Sequence, residues 1–277
     1  MDEALRAVEG SLDRPSAARV YDYFLGGSTN YAIDREFAQK LRRRLPLIGE
    51  YMKTSRQFLG RAVRECARLG VRQFVDIGSG LPTAPNVHEV ADRTRPQRDS
   101  RVVYVDNEPV ALAHSQLLLA DSADPARHVA IAADLMQPEN LWERVLDTGM
   151  VDARQPVTLV VNAVLHFIKD ADDPDGKLAH FRRRLAPGSL LVLSQMTDEN
   201  PRSAEERRAL DDLLEYYERT TNPGQLRTSA EFRRFFGDWE LLEPGLVYAP
   251  AWRPDKDTVF RKSPSESRVI GGVARKP

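Results

Sequence analysis

The chain is poor in the features that mark several classes of protein. It has 277 residues with a single cysteine, Cys66, which excludes an internal disulfide and a cysteine-rich zinc site. The formal net charge is −1, which argues against a dedicated nucleic-acid-binding protein. No apolar run approaches the roughly 18 residues of a membrane-spanning helix. No spacing of His, Asp and Glu indicates a metal site, so we predict none.

The amino terminus lacks the pattern of a secretory signal peptide. It begins Met1-Asp2-Glu3, which is acidic, and no apolar segment follows. Hydrophobic residues make up 42% and charged residues 29% of the chain, as in an ordinary globular protein. We therefore expect a cytoplasmic protein that contacts no membrane.

What the chain does contain, from Val71 onwards, is a regular alternation of strand-like and helix-like segments. This alternation predicts a doubly wound, mostly parallel α/β sheet of the Rossmann-like type. The expected strands are 72–77, 101–106, 128–132, 157–161 and 189–195. Helices are expected from Asn86, at 108–120, at 174–186 and from Ser203 to about 219. Asn86 with Glu89, and Ser203 with Glu206, form capping-box patterns.

Two further strands, 240–248 and 268–274, follow a short helix at 228–237 and complete a seven-stranded sheet. No helix separates them, so we expect a hairpin with one antiparallel strand. We divide the chain into a helical amino-terminal segment, 1–70, and a sheet domain, 71–277. Within the first segment, the pattern predicts helices at 32–44 and 50–68 and an irregular loop at 14–30.

Two of the expected strands end in an acidic residue. Asp76 is followed by the turn Gly78-Ser79-Gly80, and Asp106 ends the next strand. Glycines let a backbone approach a ligand, and an acid at the end of the second strand accepts hydrogen bonds from ribose hydroxyls. The third glycine of a dinucleotide motif is missing. Asp76 would meet the ammonium of S-adenosylmethionine (SAM) but would repel a pyrophosphate, so the pattern favours SAM over NAD.

Further candidates for the nucleoside site follow the second and third strands. Asp106 binds the ribose in this interpretation, although it also fits a helix N-cap because Pro109 follows. Asn107 would lie beside the ribose or the adenine edge. Asp134 would accept from the adenine amino group, and the backbone amide of Leu135 would serve a ring nitrogen. The alternative for Asp134 is a turn aspartate.

Several motifs resemble one known family. The segment 19–27 (RVYDYFLGG), with Asn30 and Asp34-Arg35, is similar to the opening signature of the actinobacterial S-adenosyl methyltransferase family, formerly catalogued as a domain of unknown function. The stretches DIGSGLPTAPNVHEVA, VVYVDNEPVALAH and VNAVLHFI resemble that family in the same order. The resemblance implies a class I methyltransferase fold and the cofactor SAM, with S-adenosylhomocysteine as product. It leaves the methyl acceptor open.

The resemblance gives the amino-terminal signature a possible role as a lid over SAM. Arg19 would pair with the cofactor carboxylate, and tyrosines such as Tyr23 would form a wall beside the sulfonium. Ordinary core packing is the alternative. Tyr216 and Tyr217, on the helix after the fifth strand, would shape the acceptor pocket or simply pack.

Two candidate catalytic residues follow the fourth strand. Asn162 would lie near the sulfonium, because ligands bind at the carboxyl ends of such strands. His166 resembles a histidine of small-molecule O-methyltransferases and would act as a general base with a near-normal pKa. Its alternative is a structural role between Leu165 and Phe167.

The sequence therefore predicts a SAM-dependent methyltransferase that methylates an oxygen or nitrogen of a small molecule. A SAM-binding sensor without methyl transfer is the main alternative. A NAD-dependent oxidoreductase is disfavoured by the missing third glycine and by the terminal strand pair. A nucleic-acid methyltransferase is disfavoured by the near-neutral charge. It would also carry an Asn/Asp-Pro-Pro-aromatic motif where this chain has Asn162-Ala163-Val164-Leu165.

Overall fold

A twisted sheet with helices on both faces organises the protein. The computed structural model describes residues 13–218, 220 and 222–277. Within them, eight strands form one sheet in the order β3-β2-β1-β4-β5-β8-β6, and β7 also pairs with β8. The strands are β1 (Gln73–Ile77), β2 (Arg101–Asp106), β3 (His128–Ala132), β4 (Val157–Asn162), β5 (Leu190–Met196), β6 (Glu240–Leu241), β7 (Val247–Tyr248) and β8 (Val269–Arg275).

The strand directions confirm the predicted doubly wound sheet with an antiparallel terminal strand. β1 to β5 pair in parallel, and β8 runs antiparallel to β5, β6 and β7. The predicted count of seven strands is wrong, because the segment 240–248 forms two short strands instead of one. A turn at Pro244-Gly245 separates them: proline has no backbone N–H, and Gly245 has φ +90°.

Nine helices lie within the described residues. They are α1 (Ala17–Leu25), α2 (Ala32–Arg44), α3 (Ile48–Arg68), α4 (Val87–Thr94), α5 (Pro109–Ser122), α6 (Pro138–Asp147), α7 (Pro174–Arg184), α8 (Ala204–Tyr217) and α9 (Ser229–Arg233). The capping box of Asn86 and Glu89 is present at the start of α4. Ser203 caps α8 by accepting from the Glu206 amide at 3.1 Å.

Two helices depart from the sequence prediction. The expected loop at 14–30 contains α1, which buries Val20 and Phe24 and ends where Gly26 adopts φ +83°. The sequence also gives no expectation for α6, whose buried face includes Leu141 and Val145. Both segments have an apolar face at helical spacing, which is the signal that would have identified them.

The core consists of two apolar layers, one on each face of the sheet. Phe74 and Val102 pack on the face covered by α3 and α4. Val75 and Val103, one position along, pack on the face covered by α6 and α7. Cys66 is fully buried in the first layer, and burial raises the pKa of its thiol to about 12.

The helices α1, α2 and α3 precede the sheet in the chain; α3 packs on one face of the sheet, and α1 and α2 pack against α3. The division of the chain at residue 70 stays a prediction. None of the described helices has the combination of length and apolar character that crossing a membrane requires.

Candidate functional site

A cavity of about 370 Å³ lies at the carboxyl ends of the parallel strands. Residues at or just after the ends of β1, β2, β3, β4 and β5 line it, together with residues of α1 and α3. Its volume lies within the range of about 300 to 1,000 Å³ that is usual for small-molecule sites. It includes the boundary between β1 and β4, where the order in which the chain adds strands to the sheet changes direction. Ligands usually bind at this point of a doubly wound sheet.

The turn after β1 requires glycine. Gly78 and Gly80 adopt φ +67° and +65°, a left-handed conformation that other residues rarely take. A Cβ atom on Gly78 would also collide with the side chain of Val164. The Gly78 amide donates to the Val105 carbonyl at 2.8 Å, which ties the turn to β2. The backbone is therefore exposed to the cavity at this turn.

Asp106 is oriented by two backbone amides. Its Oδ2 accepts from the Gly80 amide at 2.7 Å and its Oδ1 from the Glu108 amide at 2.9 Å. Burial raises the pKa of this carboxyl. Each oxygen keeps a further lone pair for a ligand. The N-cap alternative is wrong, because Glu108 caps α5 by accepting from the Ala111 amide at 2.5 Å.

Asp76 lies deeper in the cavity wall and is only 4% exposed. Burial raises the pKa of its carboxyl to about 7; the Arg56 guanidinium opposes this rise and the Asp106 carboxylate adds to it. A cation close to this buried carboxyl would stabilise its charged form and lower its pKa.

Arg56, on α3, is the single Lys or Arg among the described residues that line the cavity. Its guanidinium donates to the carbonyl of Thr83 and, at 3.0 Å, to that of Pro85. Its Nε is buried and has no hydrogen-bond partner among the described residues. The sequence prediction missed Arg56, since no motif surrounds it.

Arg19 and Tyr23, predicted to contact the cofactor, are not among the residues that line the cavity. Arg19 is fully buried and donates to Asp34 at 2.7 Å and to Glu108 at 2.9 Å. It therefore links α1 to α2 and to the start of α5. Tyr21 lines the cavity instead, and its hydroxyl donates to the Met52 carbonyl at 3.1 Å.

Other residues of the amino-terminal signature build the turn between α1 and α2. Asp22 accepts from the Thr29 amide and from the Asn30 side chain, both at 2.9 Å. A Cβ atom on Gly27 would collide with the Asp22 carboxylate. Much of this motif therefore maintains a local fold that presents α1 to the cavity.

The residues predicted to contact adenine line the cavity together. Asn107 is exposed, Asp134 is half-buried and Leu135 is buried. Asp134 Oδ1 accepts from the Met136 amide at 2.8 Å, as a turn aspartate does. The turn alternative for Asp134 is therefore present, and the same side chain borders the cavity; its contact with adenine stays a prediction.

Both candidate catalytic residues after β4 border the cavity. The Asn162 amide donates to Ser55 at 3.1 Å and accepts from Ser194 at 2.7 Å, so it joins β4 to α3 and β5. His166 lies in a 3-10 turn, Leu165–Phe167, and is 9% exposed. Burial, with a smaller effect of the Arg227 charge, lowers its pKa to about 3. The expectation of a near-normal pKa is therefore wrong.

Three cavity residues beyond β4 complete this end of the site. Gln195 and Met196 end β5, and Tyr217 ends α8. The Tyr217 ring lies 5.4 Å from that of Phe167. Gln195 and Met196 were missed because a strand-ending Gln-Met pair has no motif. Within the described residues, no group of three or more His, Cys, Asp or Glu side chains is arranged to hold a metal ion.

Comparison with known proteins agrees with this geometry. The family model described as S-adenosyl methyltransferase matches residues 5–277. A putative methyltransferase from Thermobifida fusca YX is 36% identical, with 95% of each chain covered and a TM-score of 0.84. A DUF574 family protein from Streptomyces avermitilis is 36% identical over 96% of this chain and 98% of that chain, with a TM-score of 0.86.

A more distant structure is similar in fold alone. An O-methyltransferase family protein from Burkholderia thailandensis is 15% identical, covers 87% of this chain and 61% of its own, and has a TM-score of 0.51. No curated protein gives a match. With both the sheet order and the family match in agreement, the chain belongs to the S-adenosyl methyltransferase family, has the Rossmann-like class I fold, and is a SAM-dependent methyltransferase that releases S-adenosylhomocysteine.

Proposed function

We propose that this methyltransferase moves the SAM methyl group to an oxygen or nitrogen atom of a small molecule. The observation that carries the proposal is that one cavity of about 370 Å³ includes both the Asp106 carboxylate and the His166 turn, and that residues of α1 and α3 also line it. A cavity of this size lined by several elements favours a small acceptor over a macromolecule. The helices α1 and α3, which belong to the predicted segment 1–70, act as a cover in this proposal.

The residues around the cavity suit SAM. In our proposal the free lone pairs of Asp106 accept from the ribose hydroxyls, while Asp134, the Leu135 amide and Asn107 face the adenine. The turn at Gly78 and Gly80 lets the methionine part approach the backbone. These positions follow the strand ends in the order in which a nucleoside binds across such a sheet.

The charged end of the cofactor also finds complementary groups. Asp76 would accept from the ammonium, which favours the ionised form of this buried carboxyl. We assign the carboxylate to Arg56 instead of Arg19, because the buried Nε of Arg56 has no hydrogen-bond partner among the described residues. A carboxylate there would satisfy that donor with a charge-assisted hydrogen bond.

The protein contributes mainly position and the exclusion of water. Bound SAM would supply a methyl group attached to a positively charged sulfur. When the acceptor atom bonds to the methyl carbon, the carbon–sulfur bond would break and its electron pair would stay on the sulfur. The acceptor O–H or N–H proton passes to water. With its pKa near 3, His166 is too weak a base to hold that proton, so we assign it to orienting the acceptor. Asn162 keeps the wall in place through Ser55 and Ser194.

The charges around the cavity disfavour a nucleic-acid acceptor. The described residues of the cavity lining include one Lys or Arg side chain, that of Arg56. The acidic side chains of the lining are Asp76, Asp106, Glu108, Asp134 and Asp172. This excess of carboxylates would repel a phosphate backbone, whose binding depends on basic side chains. The small-molecule proposal agrees with the formal net charge of −1.

Calorimetric titration of the wild type and Asp106→Ala with SAM, S-adenosylhomocysteine and NAD tests the proposal. We expect the wild type to bind the first two and not NAD. Loss of hydrogen bonds to a charged acceptor should weaken SAM binding by about 10- to 100-fold in Asp106→Ala. Asp121→Ala, which removes an exposed carboxylate from α5, is the matched control and should bind normally.

Two results would contradict the proposal. Equal SAM affinity of Asp106→Ala and the wild type would remove the ribose assignment. The second test incubates the protein and SAM with a library of hydroxylated and amine-bearing compounds. If SAM binds tightly but no compound leads to S-adenosylhomocysteine, the result would favour a SAM-binding sensor over a small-molecule methyltransferase.

A further inference from the structure

We propose that the end of the cavity formed by His166, Phe167, Gln195, Met196, Tyr217 and Val269 is the methyl-acceptor subsite, and that it takes an uncharged aromatic molecule with a hydroxyl or N–H donor. This inference rests on the proposed function and specifies its substrate class. We call these six residues the acceptor subsite. They come from the turn after β4, the end of β5, the end of α8 and the start of β8.

The walls of the acceptor subsite are apolar and largely aromatic. Phe167, Met196, Tyr217 and Val269 belong to one continuous apolar cluster. The Phe167 ring lies 4.2 Å from the His166 ring and 5.4 Å from the Tyr217 ring. Met196 and Val269 are paired across β5 and β8. Aromatic rings and a thioether in a cavity wall pack favourably against a flat aromatic ligand.

Two buried polar atoms in this wall have no partner among the described residues. Gln195 is fully buried; its Nε2 donates to the Arg227 carbonyl at 3.2 Å, but its Oε1 accepts nothing. His166 is 9% exposed, and its Nδ1 also has no partner. Leaving such atoms unsatisfied destabilises the folded protein. Because an amide oxygen only accepts, a ligand that satisfies Gln195 must donate.

Tyr217 contributes a hydroxyl group to the acceptor subsite. Its side chain is 6% exposed. Burial raises the pKa of Tyr217, with no charged or hydrogen-bonding neighbour contributing. The phenol is therefore neutral and free to interact with a ligand oxygen or nitrogen.

The acceptor subsite carries no ionised side chain. His166 and Tyr217 are neutral near pH 7, given the directions of their pKa shifts. The nearby Arg227 does not line the cavity; its guanidinium donates to the carbonyls of Leu165 at 2.8 Å and Ile168 at 2.6 Å. A charged acceptor would lose its hydration in the acceptor subsite without gaining a partner there. Asp172 also lines the cavity but is not one of the six residues of the acceptor subsite.

Three matched probes test this inference: naphthol, naphthoate and naphthylmethylamine, each substituted at the same ring position. Their binding to the protein saturated with S-adenosylhomocysteine is measured by ligand-observed NMR and calorimetry. We expect naphthol to bind at least about tenfold more tightly than either charged probe, because burying an unpaired charge is costly.

Variants locate the binding. Gln195→Met and Tyr217→Phe should each weaken naphthol binding, by about fivefold for one hydrogen bond, and leave the affinity for S-adenosylhomocysteine unchanged. Tyr216→Phe is the matched control, since Tyr216 is the neighbouring tyrosine of α8 and does not line the cavity. It should bind naphthol like the wild type.

The outcomes separate the two proposals. If the wild type does not bind S-adenosylhomocysteine, the proposed function fails. If it does bind, the acceptor assignment is overturned by any of three results: naphthol does not bind, naphthoate or naphthylmethylamine binds as well as naphthol, or Tyr216→Phe weakens naphthol as much as Tyr217→Phe does.

Discussion

At the scale of single residues, Asp76 connects the cavity to pH. Its carboxyl has a pKa raised from 3.8 to about 7, so a large fraction is protonated near neutral pH in the free protein. The ammonium of SAM should favour the charged carboxylate and expel that proton. We predict that SAM affinity rises between about pH 5.5 and 7, by at most tenfold per pH unit, and that binding releases protons.

Calorimetry in two buffers with different ionisation enthalpies measures the released protons directly. Asp76→Asn should bind SAM weakly and without proton release. The same variant should be more stable than the wild type at pH 8. The reason is that the folded state holds the Asp76 proton more tightly than the unfolded state does. This carboxyl therefore lowers the free energy of unfolding as the pH rises from 3.8 to about 7. Identical proton release by both proteins would show that Asp76 does not meet the ammonium.

The residue scale also shows what a motif can and cannot indicate. Asp106 and Asp134 were predicted from their place after a strand, and both line the cavity. Arg56 and Gln195 line it as well, but each lies in an ordinary helix or strand sequence. Their importance comes from buried atoms without partners, which only folded coordinates reveal.

At the scale of elements, Arg19 joins three helices. Its bonds to Asp34 on α2 and to Glu108 at the start of α5 involve a fully buried guanidinium. Removing one partner of a buried ion pair leaves an uncompensated charge, which costs about 3–5 kcal/mol. We therefore predict that Arg19→Met lowers the free energy of unfolding by that amount, measured by denaturant titration.

Arg43→Met provides the comparison for Arg19→Met. Arg43 is exposed on α2, so its loss should change stability by no more than about 0.5 kcal/mol. Equal stability of the two variants would refute the structural role of Arg19 and restore the prediction that it serves the cofactor.

The elements themselves were predictable to different degrees. β2 and β3 have the expected bounds, and α2 does as well, because strand and helix periodicity are local properties. The expected loop at 14–30 was wrong because its aromatics and glycines resemble loop composition, while α1 is stabilised by packing against α2 and α3.

At the scale of the whole molecule, buried histidines limit stability in acid. The rings of His88 and His128 lie 4.8 Å apart inside the protein. Burial lowers the pKa of both imidazoles. The charges of His88 and Arg127 lower the pKa of His128 further, Asp92 opposes them, and the resulting pKa of His128 is about 4. The unfolded chain thus binds more protons than the folded protein below about pH 6.5.

We predict from this that the buried histidines lower the melting temperature as the pH falls from about 6.5 to 4, while the Asp76 carboxyl, whose pKa is raised, acts in the opposite direction over the same range. Thermal unfolding followed by circular dichroism at several pH values measures the slope. His128→Gln should reduce the slope, whereas His114→Gln, at a partly exposed site of α5, should keep it. A slope that is the same in all three proteins would place the acid sensitivity elsewhere.

The sequence by itself determined the alternation of strands and helices and the glycine turn after β1. It also determined the acidic residues at the ends of the next two strands, Asp106 at the end of β2 and Asp134 just after β3. These features depend on periodicity and turn chemistry within a few residues of the chain. The tertiary structure decided which amino-terminal side chains reach the cavity, and it brought Gln195, Tyr217 and His166 to the wall of one cavity. The physical reason is that such contacts join residues far apart in sequence, and burial of their polar atoms depends on the packing of whole elements.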